Sequence, residues 1–201
     1  INRCPDGAGL WISNDRRIGL AHRRLSIIDV SDASNQPLST PDGKFWISFN
    51  GEIYNYVAMR AELQSRGHVF RTTGDTEVLL HLYMEYGEDM VTHLRGMFAF
   101  AIWDETKQAL FLARDHFGIK PLYYSDDGST VRFASQVKAL LESTTIPKNP
   151  DNAGIVGFYL WGFVPDPFTT YSSIKGLPAG HTMWITRNKL PCKRKFFDLS
   201  E

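Results

Sequence analysis

The run Met97-Phe98-Ala99-Phe100-Ala101-Ile102-Trp103 constrains the fold more than any other stretch of the chain. It is apolar at every position and alternates bulky with small side chains, which suits a β-strand packed on both faces. Such a strand belongs to the core. In Phe45-Trp46-Ile47-Ser48-Phe49 a second period-two pattern leads into Asn50-Gly51, two residues that tolerate unusual backbone angles and are expected to end that strand. Asn-Gly between apolar runs is a strong hairpin signal. The same residues suit another role. Gly51 has no side chain to keep a ligand from its N–H, Asn50 adds a side-chain amide, and Glu52 places a carboxylate beside both. Two donors converging on one oxygen make an oxyanion hole, and a neighbouring acid can hold an ammonium group. The tripeptide alone leaves both readings open.

The remaining segments support a mixed α and β chain. Residues 10–13 and 17–22 read as short strands joined by Asn14-Asp15, and Arg24 follows at a strand end or loop start. Residues 31–43, rich in Ser, Asp, Asn, Pro and Gly, read as a loop feeding the strand that begins near Phe45. Asn55 is expected to cap a helix from Tyr56 to about Arg66, and 68–71 to form a brief strand. Thr72-Thr73-Gly74-Asp75 then turns into a second helix with Val78, Leu79, Leu82 and Tyr83 on one face, so Asp75 stands near a helix N-terminus as a cap or a ligand. A short helix is expected over 88–95, and strands over 109–113, 122–124 and 131–134, with Ser135 capping a helix through Leu141. Residues 142–150, polar and with two prolines, resemble a linker. Asp151 is expected to cap a further helix, the aromatic residues from Phe158 to Phe168 to pack in the core, and 182–185 with 193–197 to form a hairpin in a tail that acts as a lid or attachment. His116, in a glycine-containing turn without metal spacing around it, reads as structural.

Composition removes several classes of function. Among 201 residues, 22 Lys and Arg balance 22 Asp and Glu, so no broad positive field points to nucleic acid or an anionic membrane. Cys4 and Cys192 are far apart and lack paired spacing, which indicates neither a disulfide framework nor a zinc site and fits a cytoplasmic protein. No apolar run approaches a membrane span and no signal-peptide pattern is present. The chain opens at Ile1 rather than Met, and its start is expected to be missing.

Arg24, the donors Asn50 and Gly51, and the acids Glu52 and Asp75 each fall at or just past a predicted strand end, where chains leaving one sheet can converge. A free amino acid needs such a set. An arginine fork binds the α-carboxylate, acids bind the α-ammonium, and donors receive the oxygen of a side-chain amide as it turns tetrahedral. Glutamine meets all three requirements.

Residues 21–29 (Ala-His-Arg-Arg-Leu-Ser-Ile-Ile-Asp), 49–55, 73–78 (Thr-Gly-Asp-Thr-Glu-Val), 95–104 and 114–124 resemble the glutaminase domain of glutamine-hydrolysing asparagine synthetases, in the family's order and over almost the entire chain. The resemblance implies an α+β, four-layer αββα sandwich of N-terminal-nucleophile type, with its N-terminal strand missing. It implies a class II glutamine amidotransferase domain at 1–145 and, at 146–201, an extension that completes the domain and leads towards a synthetase domain. Position by position, the carboxylate-binding arginine falls on Arg24 with the backbone of Leu25, Ser26, Ile27 and Ile28 beside it. The oxyanion donors fall on Asn50 and Gly51, and the ammonium site on Glu52, Gly74 and Asp75. L-Glutamine is the implied ligand, ATP and Mg²⁺ are expected only in the synthetase domain, no cofactor is expected in these residues, and a homodimer is compatible with the family. Two departures stand out. The family's nucleophile is an N-terminal cysteine whose α-amine serves as base, and this chain lacks it; the family's Arg-Gly-Pro-Asp loop here reads Arg3-Cys4-Pro5-Asp6. Cys4 has no free amine and is a poor substitute. The 201 residues alone are therefore expected not to hydrolyse glutamine. Two alternatives stay open: a non-hydrolytic scaffold as in β-lactam synthetase-like relatives, and a glutamine-binding sensor.

Overall fold

A computed structural model describes residues 7–24, 34–187 and 189–198. The apolar run forms β5 (Gly96–Asp104), which lies between β4 (Phe45–Ile53) and β6 (Ala109–Arg114) in an antiparallel sheet. β3 (Leu38–Ser39) extends the sheet beyond β4, and β10 (His181–Thr186) with β11 (Cys192–Lys195) extends it beyond β6. Bulky Phe98, Phe100 and Ile102 face one layer while Ala99, Ala101 and Trp103 face the other, so the large-small alternation separates two cores on opposite faces of one strand.

On the bulky side lie α1 (Tyr56–Ser65) and α2 (Asp75–Tyr86), which bury Leu63, Val78, Leu79 and Leu82 against Ile47, Phe49, Phe100 and Phe111. Across the small side lie the hairpin of β1 (Gly7–Ile12) and β2 (Gly19–Arg24), and the sheet of β7 (Tyr123–Asp126), β8 (Val131–Ala134) and β9 (Lys175–Gly176). Leu20, Leu122, Tyr124 and Leu177 supply that side of the second core. A third cluster packs α3 (Val137–Leu141) behind the β7–β9 sheet through Leu140, Ile146 and Ile174. The sequence of layers is helix, sheet, sheet, helix.

Several local expectations are corrected. β4 does not end at Asn50-Gly51: it stays paired with β5 as far as Ile53 opposite Gly96, because its partner arrives from a distant segment and no hairpin turn is required. Residues 68–71 form no strand, since the N–H groups of Arg71 and Thr72 go to the Glu77 carboxylate rather than to a neighbouring strand. Asn55 makes no cap bond; its side chain instead bridges the carbonyl of His93 and the N–H of Arg95, tying the start of α1 to the segment before β5. Gln136, not Ser135, is the N-cap residue of α3. Residues 142–150 do not hang free: Ile146 is buried and the Asn149 carbonyl accepts from Ser172 N–H. Asp151 caps α4 (Asn152–Trp161) through the N–H groups of Ala153 and Gly154.

The aromatic stretch around α4 is largely exposed rather than core. Phe158, Tyr159, Trp161 and Phe163 are each more than half exposed, with Tyr159 at 82%. Here the helix packs through its small residues: a Cβ at Gly154 would lie 2.0 Å from the Thr169 carbonyl oxygen, and one at Gly157 would lie 2.5 Å from Pro165 Cδ. Close approach on the glycine side turns the large side chains outward. Among the described residues no helix is long and apolar enough to cross a membrane.

Candidate active site

β4 carries three of the candidate residues in succession. Asn50 pairs with Ala99, Gly51 with Phe98 and Glu52 with Met97. At Gly51 the strands come so close that an added Cβ would lie 2.1 Å from the Met97 carbonyl oxygen and 2.8 Å from Phe98 Cα. Gly96 faces the same crowding from the other strand, 2.2 Å from the Glu52 carbonyl oxygen. Only hydrogen fits at either position, so the tight β4–β5 approach itself explains both glycines.

The fourth candidate arrives from the helix layer. Asp75 is the first residue of α2, with Gly74 as N-cap, and it is 6% exposed. Its Oδ2 accepts from Ile53 N–H at 3.0 Å, which joins the helix N-terminus to the strand just past Glu52. Burial pushes the Asp75 carboxyl above the usual carboxylate range; amide hydrogen bonds from Ile53, Asp75 and Thr76 pull it back, while the charge of Glu52 pushes it further up. Two acids thus repel each other at the end of β4. Among the described side chains, no Lys, Arg or His forms an ion pair with either.

β2 approaches the same strand from the opposite layer. His22 donates a ring N–H to the Phe49 carbonyl at 3.0 Å, and Ser48 Oγ reaches the Ala21 carbonyl. Arg24 ends β2, two residues beyond His22, paired in register with Gly7. Its backbone is therefore carried towards the Asn50 end of β4. Leu25, Ser26, Ile27 and Ile28 lie outside the described residues, as does Cys4. The structure thus brings together Asn50, Gly51, Glu52 and Asp75, with Gly74 buried beside Asp75.

His116 packs among aromatic rings, with centroids 4.8 Å from Phe197, 5.3 Å from Phe196 and 6.1 Å from Phe98. Burial lowers its affinity for a proton, with Asp115 opposing the effect. Sequence reasoning did not single out Gln36, Arg60 or Glu77. Gln36 is buried and joins β4 to α2: its Oε1 accepts from Phe49 N–H at 2.6 Å and its Nε2 donates to Thr76 Oγ1 at 3.3 Å. Glu77 gave one signal, an acid in the first turn of a helix, which is ordinarily read as favourable to the helix dipole.

The layered architecture matches solved enzymes of the N-terminal-nucleophile amidotransferase class. Glutamine phosphoribosylpyrophosphate amidotransferase from Bacillus subtilis superposes with a TM-score of 0.63 over 89% of this chain and 34% of that one, at 23% identity, a likeness of fold. A sequence profile described as "Glutamine amidotransferase domain" matches residues 1–197, and the chain belongs to that family. It is similar to glutamine-hydrolyzing asparagine synthetase 1 of B. subtilis, 44% identical over 92% of this chain and 29% of the relative. Asparagine synthetase 3 of the same organism is 39% identical over 94% of this chain and 31% of the relative. Asparagine synthetase 2 is 45% identical over 91% and 24% respectively. The chain thus spans less than a third of the length of these curated relatives.

Proposed function

We propose that the site binds L-glutamine. The observation that carries this reading is Asp75, buried with its proton affinity raised beside the charge of Glu52. An α-ammonium group placed between the two acids would relieve the repulsion and compensate the burial of Asp75. Gly74 lines the same helix N-terminus. Arg24, with the backbone of Leu25 to Ile28, is assigned the α-carboxylate, for which a guanidinium fork is suited. Asn50 and Gly51 are assigned the amide oxygen, with their donors set for the charge it gains when its carbon becomes tetrahedral.

For the 201 residues alone the proposal is binding. In a polypeptide of the length of these relatives, a cysteine at the N-terminus would attack the amide, with its own α-amine as base, and release ammonia. The ammonia would pass to a carboxylic acid such as aspartate, activated with ATP and Mg²⁺ held outside these residues. The test is an NMR titration with L-glutamine. Amide signals of Asn50, Gly51, Glu52, Gly74 and Asp75 should shift together and saturate, whereas D-glutamine should leave them in place. Shifts confined to other parts of the chain, or none, would contradict the assignment.

A further inference from the structure

We propose that Glu77 and Arg60 are positioning residues for the ammonium end of the site, fixing segment 71–75 so that Gly74 and Asp75 face the ligand. This rests on the glutamine-binding reading given above. Neither residue touches the candidate ligand-binding groups of β4; both act through the backbone of the segment before α2.

Glu77 is 2% exposed, and its carboxylate faces backwards along the chain. It accepts from Arg71 N–H with both oxygens, at 3.1 and 3.0 Å, and from Thr72 N–H at 2.7 Å and Thr72 Oγ1 at 2.8 Å. A helix-N3 acid ordinarily returns to the N-cap N–H. Here the N-cap is Gly74, and Glu77 reaches past it to residues 72 and 71. Burial alone would raise its carboxyl; the His81 ring 3.9 Å from Oε1, with the donors of Arg71 and Thr72, outweighs this and holds it down to about 2. Glu77 therefore carries its charge throughout the neutral range.

Arg60, from α1, treats the carbonyl side of the same segment. Its Nη1 donates to the Thr72 carbonyl at 2.7 Å and its Nη2 to the Gly74 carbonyl at 2.9 Å, with the guanidinium 4.4 Å from the centroid of the Phe70 ring. An anion thus holds N–H groups and a cation holds carbonyls, from two different helices, on a segment with no sheet partner. The segment's lead-in is fixed as well: His68 shares a hydrogen bond with His81 at 2.8 Å and another with Glu85 at 2.7 Å. The last carbonyl that Arg60 grips belongs to the residue immediately before Asp75. Small changes at this grip move the acid assigned to the ammonium group, whereas the β4 donors stay fixed by β5.

The test compares wild type with E77Q and R60M in NMR titrations, using L-glutamine and its deamino analogue 4-carbamoylbutanoate, which keeps the carboxylate and amide but lacks the ammonium. Both variants should weaken L-glutamine about tenfold and leave the analogue within about twofold of wild type. Amide exchange at Arg71 and Thr72 should quicken about tenfold or more in E77Q. A merely structural role would weaken both ligands in parallel. That outcome, or unchanged glutamine affinity, overturns the proposal, as does unchanged exchange at Arg71 and Thr72. Failure of the glutamine reading is separately visible, because the wild-type chain itself would then give no saturable shifts with L-glutamine.

Discussion

Asp115 and Asp75 are both buried carboxylates beside the β4–β5 pair, and the chain uses them in opposite ways. Asp115, 0% exposed, accepts from Phe98 and Lys120 N–H on one oxygen and from Phe117 and Ile119 N–H on the other. Arg114 beside it donates to the carbonyls of Gly118, Lys120 and Leu177 and pairs with Asp166 at 2.8 Å. Those charges are used up inside the fold, and they lock the turn after β6 to β5 and to the segment before β10. Asp75 is held by amide hydrogen bonds as well, from Ile53, Thr76 and its own N–H, yet it is left facing a second acid and holds its proton more tightly than an ordinary carboxyl. A buried acid satisfied by backbone donors makes a joint; one facing another acid makes a place for a cation.

The contrast is sharpened first at the joint. D115A removes the acceptor for four buried or half-buried N–H groups and should cost about 4 kcal/mol or more in urea unfolding. A loss under about 1 kcal/mol would mean that water replaces the carboxylate freely. G51A comes next: the Cβ would meet Met97 O at 2.1 Å, and a destabilisation of about 3 kcal/mol is expected, with glutamine binding lost. Full stability in G51A would show that β4 and β5 separate there without cost.

The titrating acids give smaller effects with opposite signs. The folded state lowers the Glu77 carboxyl from 4.5 to about 2, so its stabilisation is present above the unfolded value and fades as pH falls towards 2. E77Q should therefore lose about 2 kcal/mol near neutrality, and the gap to wild type should close as pH falls below about 4. Asp75 is raised, so its contribution is fully favourable below its unfolded value and is lost as pH rises through the folded one. D75N should stabilise the neutral-pH fold, with no gain below about pH 4, while losing the ligand. Thermal unfolding across that pH range checks both signs; a D75N variant less stable than wild type at neutral pH would make Asp75 a joint like Asp115.

The central strands were readable because local and tertiary demands agree: the bulky-small alternation of 97–103 needs two covered faces, and the fold provides them. Asn50-Gly51 misled as a strand end because its glycine answers a distant partner, Met97 and Phe98, which no local pattern announces. The α4 aromatics misled for the converse reason: Gly154 and Gly157 sit on the packed side, and composition cannot say which side that is. At the site, the charged and donor residues could be picked out by type. Glu77 and Arg60 could not, since most of their hydrogen-bond partners are backbone groups on a segment that looks like a strand.

The most direct measurement is calorimetric titration of L-glutamine into the wild-type chain and into D75N. Saturable binding by wild type, lost by about a hundredfold or more in a D75N variant that is at least as stable, is the predicted result. Equal binding by both proteins, or none by wild type, would contradict the assignment of the Glu52–Asp75 pair to the ammonium group of glutamine.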